Sequence, residues 1–256
     1  AAPGGVIGIN GGLFLNAENE GQFASVLTHE LAHLSQRHFA RNILNSRDNN
    51  LASTLVMVSA IAAAIATNNP TAFIAGPAYL QQQALRYSRL FEKEADRVGF
   101  NNLINAQYDP SSMGMMFEQM AKLRRLAGDN IPEFLLTHPI SSSRVADAFN
   151  AADQIENSYK TKDSVNYQLI RGRLQMRYEL IPLSSLRKME NLIATEPSNQ
   201  NRYALSIAYK NTGNFTKSLQ EIDKLIANNP KNLILANTKA EILLDQGNSD
   251  GALELV

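Results

Sequence analysis

From residue 165 onward the sequence repeats itself with a period of 34 residues. Gly213-Asn214 returns as Gly247-Asn248, and small residues stand at the same spacing at Gly172, Ser206 and Ala240. Tyr209 precedes Gly213 by four positions, as Leu243 precedes Gly247, and Pro197 and Pro230 punctuate the ends of successive units. A period of this length marks an array in which each unit is one supersecondary element. No unit can bury its own apolar face, so each must lean on its neighbours. The units fall at about 165–198, 199–232 and 233 onward, with Glu179 standing where the first unit would carry its turn glycine. Leu255-Val256 lie inside an amphipathic helical pattern with no cap or glycine stop, so the chain is expected to be a piece of a longer protein, cut within the array and incomplete at its beginning as well.

This pattern resembles tetratricopeptide repeats, whose small residue lets two antiparallel helices approach, whose glycine makes the turn between them and whose proline follows the second helix. Ahead of it lies the polar stretch Lys160-Thr161-Lys162-Asp163, read as a linker. Two domains are therefore expected, 1–160 and 164–256.

The first domain has a different grammar. Ile7 to Asn10 and Gly12 to Asn16 are short apolar runs broken by glycine, which predicts one or two strands and hence a small sheet. Helical periodicity is read over Phe23–Asn45, near 51–66, over 78–104, over the methionine-rich stretch 112–127 and from about 143 to 158. Met113, Met115, Met116 and Met120 are read as core filling. Asn49 to Leu85 contains no charged residue, and Leu51–Ala66 is apolar enough to suggest a membrane span. At 16 residues that run is shorter than the roughly 20 that a membrane span needs, so it is read as a buried helix and no transmembrane span is predicted. The opening AAPGGVIGINGG shows neither a charged n-region nor an apolar h-region, so it is not read as a signal peptide.

Composition narrows the chemistry. Lys and Arg number 24 against 24 Asp and Glu, and this balance offers no electrostatic basis for nucleic-acid binding. There is no cysteine, so any metal or acid–base chemistry rests on four histidines and the carboxylates. Two of the four stand in Thr28-His29-Glu30-Leu31-Ala32-His33, an H-E-x-x-H pattern inside a predicted helix. Residues at i and i+4 lie about 40° apart around a helix, so His29 and His33 project from one face. That is the arrangement two ligands of a tetrahedral zinc require, with Glu30 available as general base. Composition alone would give such a match in this chain with a frequency on the order of 0.003.

A third ligand must come from elsewhere. His38 lies five residues past His33, roughly 140° around a continuous helix, and is read as an incidental surface or core residue. The segment Glu92-Lys93-Glu94-Ala95-Asp96 offers better donors. Glu92 and Asp96 share a face, whereas Glu94 points about 200° away from Glu92. One carboxylate on the metal and one orienting a ligand imidazole is the usual division of labour.

H-E-x-x-H followed about sixty residues later by this E-x-x-A-D run resembles the gluzincin family of HtpX-like and CAAX-protease-like zinc peptidases, some periplasmic members of which join the protease domain to a C-terminal repeat array. The resemblance implies one zinc ion held by His29, His33 and Glu92, with Glu30 as catalytic base and Asp96 behind the ligands. A later H-P-x-x-x-x-R segment matches His138-Pro139 to Arg144; it implies that His138 approaches the metal or substrate and that Arg144 stabilises the oxyanion. The expected fold is then α+β: a mainly helical zincin-type metallopeptidase domain with a small sheet, followed by the helical repeats. The expected activity is endoproteolysis of unfolded or misassembled proteins in a periplasm, with the repeats docking substrates or outer-membrane assembly machinery. The competing reading is a chaperone-like binding module whose protease site is idle or plugged.

Overall fold

The computed structural model describes residues 7–44, 55–56, 58–60, 62, 71–127, 138–156, 159 and 162–255; of 71–87 it describes the backbone course alone. The predicted apolar helix at 51–66 lies largely outside the described residues. The chain divides into two compact units, one of Ala1–Ile9 and Gly21–Thr161, the other of Asn10–Glu20 and Lys162–Val256. The segment Asn10–Glu20 thus groups with the C-terminal repeats rather than with the rest of the N-terminal region.

The described residues are almost entirely helical: α1 (Gly11–Asn16), α2 (Glu20–Ser35), α3 (Thr71–Asn105), α4 (Ser111–Leu126), α5 (Ser142–Ala152), α6 (Val165–Arg177), α7 (Pro182–Thr195), α8 (Asn199–Asn211), α9 (Phe215–Asn228), α10 (Leu233–Asp245) and α11 (Ser249–Leu253). No strand is found among them. No described helix is long and apolar enough to cross a membrane.

The predicted strand over Gly12–Asn16 is corrected to helix α1. Asn10 caps it by accepting from Gly12 N at 2.8 Å, and the Asn16 amide donates to the Gly12 carbonyl at 2.7 Å. Local capping and tertiary packing outweigh the strand-like run of apolar residues. Phe14 stacks on Tyr167 of α6 with ring centroids 5.8 Å apart, and Arg171 donates to the Glu18 carbonyl at 2.9 Å. Within the same unit Asp163 accepts from Glu20 N at 2.7 Å, and the Glu20 carboxylate accepts from Ser164.

The 34-residue period appears as helix starts at 165, 199 and 233. Gly213 and Gly247 hold φ of +76° and +89°, a left-handed backbone that favours glycine. That turn lets Asn214 N reach the Tyr209 carbonyl at 2.9 Å and Asn248 N the Leu243 carbonyl at 2.8 Å, the same closing bond in both units. Between α8 and α9, Ser206 and Ser218 exchange hydroxyl-to-carbonyl hydrogen bonds at 2.9 and 2.8 Å, closing the small-residue contact. Tyr203, Leu169, Met189, Ile222, Leu225, Leu235 and Ile242 form the fully buried centre of this unit.

In the other unit α4 and α5 pack face to face. Met113, Met116 and Met120 are buried there with Phe117, whereas Met115, at 41% exposure, lies outside the core into which the methionine cluster was read. The close approach of α3 to α2 depends on Gly99: a Cβ there would sit 2.9 Å from His29 Cα. Glu92, Asp96 and Gly99 recur at i, i+4 and i+7, so this contact turns both carboxylates toward His29.

Candidate metal centre

Helix α2 opens with Glu20 in its first turn, where an acidic side chain complements the helix dipole. Its buried polar residues are satisfied locally: Ser25 donates to the Gln22 carbonyl at 2.7 Å and Thr28 to the Ser25 carbonyl at 3.0 Å. This leaves the face carrying His29 and His33 free of competing partners from its own helix. The two imidazoles converge with Nε2 atoms 3.1 Å apart.

Across from them, α3 delivers Glu92, which is buried. Its Oε2 lies 3.5 Å from His29 Nε2 and its Oε1 3.3 Å from His33 Nε2. The segment before α5 adds His138, whose Nδ1 is 3.1 Å from Glu92 Oε1 and 3.4 Å from His29 Nε2. One donor atom from each of His29, His33, Glu92 and His138 can be chosen so that all lie within 4.8 Å of one another. On the other side of its ring, His138 Nε2 is 3.2 Å from Glu30 Oε1. Burial pushes the Glu92 carboxyl upward, but His138, His29 and His33 together hold it far below the usual carboxylate range.

The donor set fits a cation. Three imidazole nitrogens and a carboxylate, converging at these distances in a buried pocket, present lone pairs to one another, and such pairs repel unless protons or a metal ion occupy the space between them. The set of three nitrogens and one oxygen suits zinc.

Behind this donor set stand Asp96 and Arg144. Asp96 Oδ1 is 3.0 Å from His29 Nδ1, an ion-pair distance but off the line of a hydrogen bond, and that buried nitrogen has no other acceptor. Burial lowers the pKa of His29, but Asp96 and Glu92 outweigh it and the net shift is upward. Arg144, capped into α5 by Ser141, is buried and grips Asp96 with Nε and Nη2, each at 2.7 Å. Its Nη1 donates to the Pro139 carbonyl at 2.8 Å and lies 2.9 Å from Glu92 Oε2, while the guanidinium packs over Phe117. In this arrangement the fork of Arg144 is committed to two carboxylates and to the carbonyl next to His138. Burial raises the pKa of Asp96, but the adjacent His29 and the paired Arg144 carry it below the ordinary aspartate value.

His38 lies in the core and outside the donor set, one of the two places read for it, but the continuous helix on which that reading rests does not hold. Helix α2 ends at Ser35, Arg37 takes a left-handed φ of +54°, and helix resumes at 38–44. The kink cancels the 140° expected of a continuous helix. His38 is buried, stacks on Phe91 with centroids 4.6 Å apart, and sets its Nδ1 2.9 Å from His33 Nδ1. Its Nε2 lies 3.1 Å from Glu94 Oε2, which Arg41 also grips at 2.8 Å. Burial lowers the pKa of His38, Glu94 opposing it. Nothing in the sequence marks the break, since a positive φ is usually carried by glycine or asparagine rather than arginine.

The chain belongs to peptidase family M48, whose family model matches residues 1–152. It is 33% identical over 242 residues to a putative beta-barrel assembly-enhancing protease of Vibrio cholerae, a match covering 90% of this chain and 48% of that protein. It is 27% identical to the beta-barrel assembly-enhancing protease of Escherichia coli K12, covering 98% of this chain and 52% of the relative. The mitochondrial metalloendopeptidase OMA1 of Saccharomyces cerevisiae is 29% identical over 164 residues, 63% of this chain and 45% of that protein. The chain thus spans about half the length of these relatives.

Proposed function

We propose that this chain carries a zinc-dependent endopeptidase acting on unfolded or misassembled proteins in outer-membrane protein quality control, in a periplasm. The observation that carries the reading is the convergence of His29, His33, Glu92 and His138 with Glu30 beside them. One zinc ion per chain would be held by His29, His33 and Glu92 and would supply Lewis acidity toward a scissile carbonyl and an attacking water. Glu30 takes the proton from that water and returns it to the leaving amine. Asp96 steadies His29, and Arg144 pins Asp96, Glu92 and the Pro139 carbonyl in one arrangement. The contacts to Asp96, Glu92 and Pro139 use four of the five N–H donors of Arg144, so donation to an oxyanion, as the family resemblance implies, falls to the second Nη2 hydrogen or requires release of one of these contacts.

A cleft of about 470 Å³ is bordered by Glu92, Lys93, Pro139, Ser141 and Arg144, and on this reading an extended peptide lies along it. Residues 11–16 are helical and so offer no strand edge for an extended peptide to pair with.

The experiment is Glu30→Gln. Zinc content stays at the wild-type level while cleavage of an unfolded protein such as casein falls by at least about 10²-fold, the low end of what general-base catalysis contributes. Undiminished cleavage would sink the mechanism.

A second reading draws on His138, which sits among the ligands and against Glu30 in the place a substrate or water would take. In it the protease is self-plugged and the helical array, read as tetratricopeptide repeats, does the main work by docking a partner such as outer-membrane assembly machinery. It predicts that Glu30→Gln still supports the cellular role.

A further inference from the structure

The direction of hydrogen bonding behind His33 is fixed by its far end. The Glu94 carboxylate, gripped by Arg41 at 2.8 Å, can only accept, and Arg41 can only donate. The His38 nitrogen 3.1 Å from Glu94, Nε2, therefore carries the hydrogen, and a neutral imidazole so protonated has a bare Nδ1. That bare nitrogen lies 2.9 Å from His33 Nδ1 and must accept from it. His33 is thereby set with hydrogen on Nδ1 and a lone pair on Nε2, the atom that faces His29 and Glu92. The stack on Phe91 and the grip of Arg41 on Glu94 hold both supporting side chains in place.

We propose that His38 and Glu94 are positioning residues of the metal centre: His38 fixes the tautomer and ring orientation of His33, and Glu94 holds His38 in the form that can do so. The inference rests on the reading of His33 as a metal ligand. His29 has a carboxylate, Asp96, at its Nδ1; His33 has no carboxylate there and reaches one through His38 instead. Supporting partners of this kind typically change metal affinity 10- to 100-fold.

The test is a Zn²⁺ titration of the metal-free chain against a chromophoric chelator, with wild type, His38→Phe and His38→Asn. Phe keeps the ring on Phe91 and removes the acceptor; Asn keeps an acceptor near the Nδ1 position. His38→Phe binds Zn²⁺ 10- to 100-fold more weakly and His38→Asn recovers most of the loss. Wild-type affinity in His38→Phe, or equal losses in both variants, would overturn the proposal. Should His38→Phe fail to fold, ¹⁵N NMR of the Zn²⁺-loaded wild type decides alone: His38 protonated at Nε2 and bare at Nδ1 supports it, the reverse tautomer refutes it. A wild type that binds no Zn²⁺ would overturn the metal centre itself along with this inference, whereas a wild type that binds it and a His38→Phe that matches it would overturn the inference alone.

Discussion

Glu92, Asp96 and Arg144 form a buried charge cluster whose value depends on every member being paired, because removing one partner leaves the others desolvated and uncompensated. In the metal-free protein this gives a definite pH response. The folded pKa of Asp96 lies below its unfolded value, so its contribution is fully present above about pH 3.9 and is lost as pH falls through the folded value. His29 is shifted upward, so its contribution is present below about pH 6.5 and is lost as pH rises through the folded value. Chemical denaturation of the metal-free chain is expected to show highest stability between these limits, with Asp96→Asn flattening the acid side. An unchanged acid limb in Asp96→Asn would contradict this assignment. The sequence made His29, Glu30, His33 and the Glu92–Asp96 face readable because each depends only on helical spacing. It could not convey that Arg144 spends its fork on Asp96 and Glu92, since that pairing joins residues 48 and 52 positions apart.

At the scale of elements, what matters is how closely α3 approaches α2. Gly99→Ala would place a methyl group 2.9 Å from His29 Cα and 3.0 Å from its nitrogen, both backbone atoms of a buried helix that cannot swing aside. The helices must separate, carrying Glu92 and Asp96 away from His29. The expected cost is about 1–3 kcal/mol in unfolding free energy, accompanied by weaker Zn²⁺ binding; a Gly99→Ala chain that binds Zn²⁺ as wild type does would show that this contact does not set the ligand geometry. Helix periodicity was legible along α2 to α5 because amphipathic spacing repeats within each element. Two features were not. The residues 11–16 read as a strand, yet an asparagine cap and contacts to Tyr167 make them a helix. The break at Arg37 left no local signature, so His38 looked idle although it sits directly behind a ligand.

For the molecule as a whole, the 34-residue period made a helical array predictable before any coordinates, because a repeat states its own packing rule in small residues and turn glycines. The assignment of Asn10–Glu20 to the C-terminal unit was not legible: it depends on side chains more than 140 positions away, Asp163 and Ser164 with Glu20 and Arg171 with Glu18. The protease and binding-module readings diverge most clearly in cells. If proteolysis is the role, Glu30→Gln fails to replace the wild type; full replacement would favour the plugged, partner-holding form. Both readings stand on the metal centre, and the most direct test is bound-metal analysis of wild type beside Glu92→Ala and Glu94→Ala. With zinc in excess before desalting, wild type and Glu94→Ala should each keep close to one zinc per chain and Glu92→Ala should lose it. Zinc retained in Glu92→Ala, or lost only in Glu94→Ala, would contradict the ligand set.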